Sequence, residues 1–245
     1  MIIDLHCHLT ADEYEKDLDI VLNRAKEMIV VSSGLNLEDN KRVLALSKKY
    51  KNVRAGLGLY PIDGLKMDDE EIGKNLKLIE ENKNKLLYIG EVGLDYSENE
   101  DRNKQKEAFS KVIELAEKID KPLLIHSRRA EIDCYEMLES SKIKQIVFHC
   151  FTGKLNIARK IADKGWSFSI PASIVRDGRF QKIVLNTDVS QLFTETDSPF
   201  LSPFNGRNEP FFAAEGLKKI AEIKSLDADE TENILYMNFQ KMFLR

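Results

Sequence analysis

The chain has 245 residues, 42% of them hydrophobic and 32% charged, which excludes a disordered or fibrous protein and fits one large globular domain or two small ones. A net charge of −4 leaves no global positive field to draw in a polyanion, so nucleic acid would have to be gripped by local charge. Three cysteines without a CxxC pair argue against a disulfide framework, and the lack of a basic leader or of a long apolar run predicts a cytoplasmic chain with no membrane segment.

The first predicted strand lies in MIIDLHCH. It spaces Asp4, His6 and His8 by two, and a regular pleat turns all three to one face, with Leu5 and Cys7 on the other. A helix near 12–26 follows, then the strand MIVVSSG (28–34), a helix near 37–50 and the strand VRAGLGLY (53–60). The segment 69–85 reads as a helix with Ile72, Leu76 and Ile79 on one stripe, before the strand LLYIGEVG (86–93). A helix over 103–119 carries Phe109, Val112, Ile113 and Ala116 inward, and the strand PLLIHS (122–127) comes next. A helix near 129–141, the strand QIVFHCF (145–151), a helix near 154–164 and the strands WSFSI (166–170) and QLFTETD (191–197) complete the alternation. Helices near 212–224 and 227–242 close the chain, the last N-capped by Asp227.

Several of these strands are nearly continuous apolar runs, as in a parallel sheet buried on both faces. Eight strands joined by helical crossovers, with no linker and no repeat, predict one (β/α)8 TIM-barrel domain over residues 1–245. A doubly wound open sheet is the alternative, since alternation does not by itself establish closure. No GxGxxG follows a strand, which counts against a nucleotide-binding sheet.

All four histidines, His6, His8, His126 and His149, fall at the C-terminal ends of predicted strands, as do Glu91 and Asp197. In a barrel those ends share one mouth, where barrel enzymes keep their active sites. An isolated buried carboxylate or imidazole is costly, and neighbouring carboxylates repel. A divalent cation relieves both problems, because imidazole and carboxylate together form a common ligand set. Six ligands exceed what one tetrahedral ion takes. Two ions are therefore expected, with Glu91 able to bridge them through its two oxygens, an arrangement suited to phosphoryl or acyl hydrolysis.

The motifs DLHCH (4–8), GEVGLDY (90–96), LLIHSR (123–128), HCFTG (149–153), ETDSPFL (195–201) and RNEP (207–210) together resemble the TatD family of metal-dependent hydrolases, within the amidohydrolase-like TIM-barrel superfamily. The resemblance implies a deoxyribonuclease, 3′–5′ exonuclease-like, acting on DNA ends or short single strands. By the same resemblance His6, His8 and Asp197 would hold one ion, His126 and His149 the second, and Glu91 would bridge. The family points to Mg²⁺, while four imidazoles also suit Mn²⁺ or Zn²⁺. Two positions depart from the family pattern: Tyr60 stands where a histidine usually precedes the proline, and Arg129 where an acid usually follows Arg128.

In the expected mechanism the ions lower the pKa of a water, and Asp197 orients it and accepts its proton. A turn-capping role before Ser198–Pro199 is the competing reading of Asp197. Arg128 and Arg207 are expected to contact phosphate, with Tyr60 beside them; Lys154 reads equally well as surface charge. Asp4 is expected to brace a histidine or the strand end, Glu195 to pair in a loop, and Cys7 and Cys150 to turn away from the site. Asp95 and Tyr96 either line the mouth or shape the turn. Phe211 and Phe212 read as packing residues or base-stacking ones. The rival chemistry is acyl hydrolysis by the same ligands, for example D-aminoacyl-tRNA deacylation; the rival role is a binding module with a structural ion. No obligate protein partner is indicated.

Overall fold

The computed structural model describes residues 1–97 and 101–244. The chain runs β1 (Ile3–Cys7), α1 (Leu18–Arg24), β2 (Ile29–Ser33), α2 (Leu37–Lys49), β3 (Val53–Leu59), α3 (Pro61–Leu65), α4 (Asp69–Glu81), β4 (Leu86–Gly93), α5 (Arg102–Ile119), β5 (Leu123–His126), α6 (Glu131–Glu139), β6 (Ile146–His149), α7 (Leu155–Asp163), β7 (Ser167–Pro171), α8 (Gly178–Asn186), β8 (Leu192–Glu195), α9 (Ala213–Lys224) and α10 (Ala228–Phe243). The eight strands pair in parallel, in sequential order from β1 to β8. The last seam closes on β1: Cys7 bridges Ser198, the Asp197 N–H donates to the His6 carbonyl at 2.9 Å, and the His8 N–H donates to the Ser198 carbonyl at 2.7 Å. Sequential order with β8 returned to β1 makes a (β/α)8 barrel and excludes the doubly wound sheet.

Local chemistry sets the elements. Asp68 and Glu71 form a capping box that starts α4. Asp101 and Asp227 cap α5 and α10 through their side chains. Two helices go beyond the sequence expectation. The short α3 starts on Pro61, whose fixed φ suits a first helical position. Asp177 caps α8, which buries Phe180, Ile183 and Val184 at helical spacing. The helix expected over 12–26 is confined to Leu18–Arg24, preceded by a 3₁₀ turn at Asp12–Tyr14 that buries Tyr14.

The barrel is filled rather than hollow. Ile3, Leu5, Val31, Tyr88, Leu124, Val147 and Phe193 from six strands pack in one cluster with Phe239 of α10. Each such side chain contributes roughly 1.5–3 kcal/mol of burial. A larger layer between strands and helices includes Phe109, Phe148, Trp166, Phe168 and Phe180, so Trp166 is core as expected. None of the described helices is long and apolar enough to cross a membrane.

Strict alternation in β1 is corrected by an irregularity. Asp4 aligns with Val30 but Cys7 with Ser32, so three steps in β1 match two in β2. Leu5 joins the barrel interior and Cys7 joins the outer cluster with Val30 and Val53. The extra residue leaves His6 and His8 converging and separates Asp4 from them. The Asp4 carboxylate instead accepts from the Thr196 N–H at 2.8 Å and the Thr196 hydroxyl at 2.6 Å, holding the barrel seam.

Candidate metal centre

Six side chains meet at the C-terminal mouth of the barrel. Glu91, 3% exposed, stands at the centre. Its Oε1 lies 2.6 Å from His126 Nδ1 and 3.0 Å from His149 Nε2. Its Oε2 lies 3.4 Å from His6 Nε2 and 3.5 Å from His8 Nε2. Asp197 Oδ1 completes the second group, 3.4 Å from His6 Nε2 and 3.2 Å from His8 Nε2. Backbone packing brings these strands this close. A Cβ on Gly58 would meet the Glu91 carbonyl oxygen at 2.3 Å, and one on Gly93, at φ 139°, would meet the His126 carbonyl oxygen at 2.0 Å.

The donor atoms fit a cation. His6, His8 and Asp197 offer ligand atoms within 4.8 Å of one another, and so do His6, Glu91 and His149. His6 Nε2 is buried without a hydrogen-bond partner, although carboxylate oxygens flank it. Such an orphaned nitrogen, aimed between two carboxylates, is the arrangement of a ligand. Electrostatics agrees. Burial opposes charge on Glu91, but His149 and His126 more than offset it and hold the carboxyl well below its usual range. Burial is likewise outweighed at Asp197 by His6 and His8. The imidazoles respond in kind: against burial and the nearby His149, the two carboxylates push His6 up to about 9. His126 and His149 also rise, against burial, through Glu91 and the acids behind them. The carboxylates demand positive charge; protons or a cation satisfy it, and a binding cation displaces the protons.

The outer ring nitrogens are oriented too. Tyr88 Oη–H donates to the Leu5 carbonyl at 2.8 Å, so its one proton is committed. Ser33 Oγ, 2.8 Å from Tyr88 Oη, must then donate to it, and His6 Nδ1, 2.8 Å from Ser33 Oγ, must donate to Ser33. That chain leaves the lone pair of His6 on Nε2, facing the cluster. On the other side His126 Nε2 donates to Asp95 Oδ2 at 2.9 Å, which leaves Nδ1 free to face Glu91. Asp95 was readable only as a turn or mouth residue; its carboxylate is buried behind the ligand row. Glu195 corrects the loop expectation. It ends β8, fully buried, accepts from the Cys150 N–H at 2.8 Å and from Ser169 Oγ–H, and lies 3.7 Å from His149 Nδ1.

The cluster floors a cavity of about 570 Å³. Tyr60 and Arg128 line it as expected. The Tyr60 hydroxyl donates to Asp95 at 3.1 Å, so it braces the acid behind His126. Arg128 is exposed and makes no ion pair among the described residues. Arg207 is a correction: its guanidinium grips Asp17 at 2.7 and 2.9 Å, touches Glu209 and lies over the Tyr14 ring, outside the cavity. Acidic neighbours in the folded chain, invisible in the RNEP motif, claimed it. Lys154 does not line the cavity either. Cys150 is a second correction: a left-handed φ of 45° breaks the alternation and places it on the cavity wall. A larger groove of about 850 Å³ lies at the starts of β5 and β6 beside the end of α10, and no histidine lines it.

Whole-chain comparisons place the barrel in a family. The family model described as TatD related DNase matches residues 3–244. A metal-dependent hydrolase of Methanocaldococcus jannaschii is 36% identical over 246 residues, covering 99% of this chain and 97% of the relative. The human deoxyribonuclease TATDN3 is 33% identical over 258 residues, covering 99% and 94%. The crystal structure of the TatD homolog YJJV from Escherichia coli matches at a TM-score of 0.92 and 26% identity, over 100% of this chain and 98% of that one. Barrel, mouth cluster and full-length similarity converge: the chain belongs to the TatD related DNase family of metal-dependent hydrolases.

Proposed function

We propose that this hydrolase is a deoxyribonuclease that holds two divalent ions and removes nucleotides from DNA ends or short single strands, working from the 3′ end. The observation that carries the two-ion reading is the division of Glu91: Oε1 faces His126 and His149, while Oε2 faces His6 and His8. His6, His8 and Asp197 would hold one ion, His126 and His149 the other, with Glu91 shared. Family membership and the name of the human relative support the phosphodiester substrate. Mg²⁺ follows from the resemblance, and Mn²⁺ or Zn²⁺ from the imidazole count.

Divalent ions at this site supply Lewis acidity and lower the pKa of water. The chain supplies the rest. Asp197 lines the cavity, and its carboxyl, ionised far below neutrality, is the group placed to orient a water and take its proton. Glu91 is enclosed by four imidazoles and stays ionised as their common counter-charge. Arg128, exposed on the cavity wall and without an ion pair among the described residues, would hold a phosphate oxygen through charge-assisted hydrogen bonds. The cysteines are all free, which supports a reducing, cytoplasmic compartment.

The test is digestion of oligonucleotides labelled at either end, in Mg²⁺, Mn²⁺, Zn²⁺ or chelator, with a D-aminoacyl ester run in parallel. A ladder that recedes from the 3′ end and vanishes with chelator is expected. Turnover untouched by chelator, or hydrolysis of the acyl ester alone, would reject the reading.

A further inference from the structure

The mouth carries an exposed aromatic that packing alone does not explain. Phe200 is 52% exposed and Leu201 39%, yet both line the cavity beside the ligand row. The Phe200 ring lies 6.1 Å from the His8 ring. Its backbone is nonetheless pinned. The Phe200 N–H donates to the Asp197 carbonyl at 3.0 Å, and the fully buried Asn208 donates from Nδ2 to the Phe200 carbonyl at 2.6 Å and to the Thr196 carbonyl at 2.8 Å. The Tyr14 hydroxyl in turn donates to the Asn208 carbonyl at 2.6 Å. A fixed backbone that presents a wet phenyl face next to a reactive centre is preorganised for a planar, apolar ligand group.

The cavity has two kinds of wall. Phe200 and Leu201 follow β8, and Leu35 follows β2, giving an apolar lip around the β8–β1–β2 sector. Across the mouth, Arg128 follows β5 and Thr152 follows β6. A ligand that touches both walls and the floor carries an aromatic plane, a reactive ester and further anionic charge. The cavity volume of about 570 Å³ suits one such unit.

We propose that Phe200, with Leu201 beside it, is a base-stacking platform that selects an unpaired terminal nucleotide and sets its phosphate over the Glu91–Asp197 cluster. This rests on the nuclease reading and adds a specificity determinant to it. A base inside a duplex is already stacked and paired and must be released before it can offer a face to Phe200, so frayed or single-stranded ends are preferred. Stacking is indifferent to which base is present, so little sequence preference accompanies the preference for single strands.

The test pairs Phe200→Ala and Phe200→Trp with two substrates: a single strand with a normal terminal base and the same strand ending in an abasic nucleotide. Phe200→Ala is expected to raise KM on the normal strand by about tenfold, while Phe200→Trp restores it. On the abasic strand, wild type is expected to show the same rise, and Phe200→Ala to add less than about twofold to it. A binding readout independent of turnover uses 2-aminopurine at the strand end in chelator; wild type quenches its fluorescence and Phe200→Ala weakens that binding by a similar factor. Equal KM for wild type and Phe200→Ala on the normal strand, or an equal penalty on both strands, overturns the platform while leaving the nuclease reading intact. No cleavage of any strand by wild type in any of the three metals overturns both.

Discussion

The two halves of the mouth cluster share Glu91 but place their negative charge differently. In the half built by β1 and β8, a carboxylate stands inside the ligand ring: Asp197 touches His6 and His8 directly. Behind those imidazoles there is little charge. His6 is backed by the neutral Ser33–Tyr88 chain, and His8 Nδ1 is buried without a partner. In the half built by β5 and β6, the ring holds only imidazoles and Glu91, and the carboxylates stand behind them. Asp95 backs His126 at 2.9 Å, and Glu195 lies 3.7 Å behind His149. Both halves gather similar charge, yet of Asp197, Asp95 and Glu195 it is Asp197 that lines the cavity. Asp95 and Glu195 are enclosed and engaged in hydrogen bonds. The lesson is a division of labour: the β1/β8 half offers an acid that can exchange a proton with substrate or water, and the β5/β6 half offers imidazoles made more basic from behind.

The most severe way to break this comparison is Glu91→Ala, which removes the carboxylate whose two oxygens serve the two halves. Metal analysis and titration calorimetry should find both of the proposed ions lost and turnover at background; retention of one tight ion would show that the halves are independent. Next, Asp197→Asn should lower kcat by about 10²–10⁴-fold at saturating metal, because it removes the carboxylate proposed to take the proton of a water. Turnover within a factor of two of wild type would move proton transfer elsewhere. Asp95→Asn should weaken one of the two proposed ions by about 10–100-fold and leave the other unchanged, as loss of a carboxylate behind a ligand histidine does. Ser33→Ala should weaken the opposite ion by about tenfold, the low end of that range, since the lost partner is a neutral hydroxyl. Two-step metal titrations distinguish these variants, and equal effects on both steps would erase the asymmetry. The smallest effect is expected from Arg207→Ala. Its ion pairs with Asp17 and Glu209 tie the loop after β8 to the segment before α1, so thermal stability should fall slightly while KM for DNA stays at the wild-type value.

The ligand row was legible because each of its members lies at or within two residues of the end of a short apolar strand, and strand ends of a parallel barrel meet at one face whatever the helices do. His6 and His8 were legible as a pair. Asp4 braces the strand end, one of its two expected roles, but does not share the face of the histidines, because the extra residue in β1 is a property of its pairing with β2, not of the LHCH string. Asp95, Glu195 and the Ser33–Tyr88 chain were not legible as supports. Each acts on a histidine from another strand, and only lateral register, such as Gly93 opposite His126, decides which groups face each other. Arg207 was misread for a related reason: its motif marked a loop near the mouth, but Asp17 and Glu209 draw its guanidinium away. Helix α8 could have been found, since Phe180, Ile183 and Val184 keep helical spacing after a capping Asp177.

Sequence alone determined the alternation of strand and helix, the barrel it implies and the chemical character of the mouth, because periodicity and the ends of apolar runs are local properties of the chain. Tertiary structure decided how the charge is shared: which oxygen of Glu91 faces which imidazoles, which acids stand behind the ring, and which aromatic is left facing water at the rim. Those outcomes depend on distances of a few ångströms between residues far apart in the chain. They are settled only when the register of neighbouring strands and the closure of β8 on β1 fix all the partners at once.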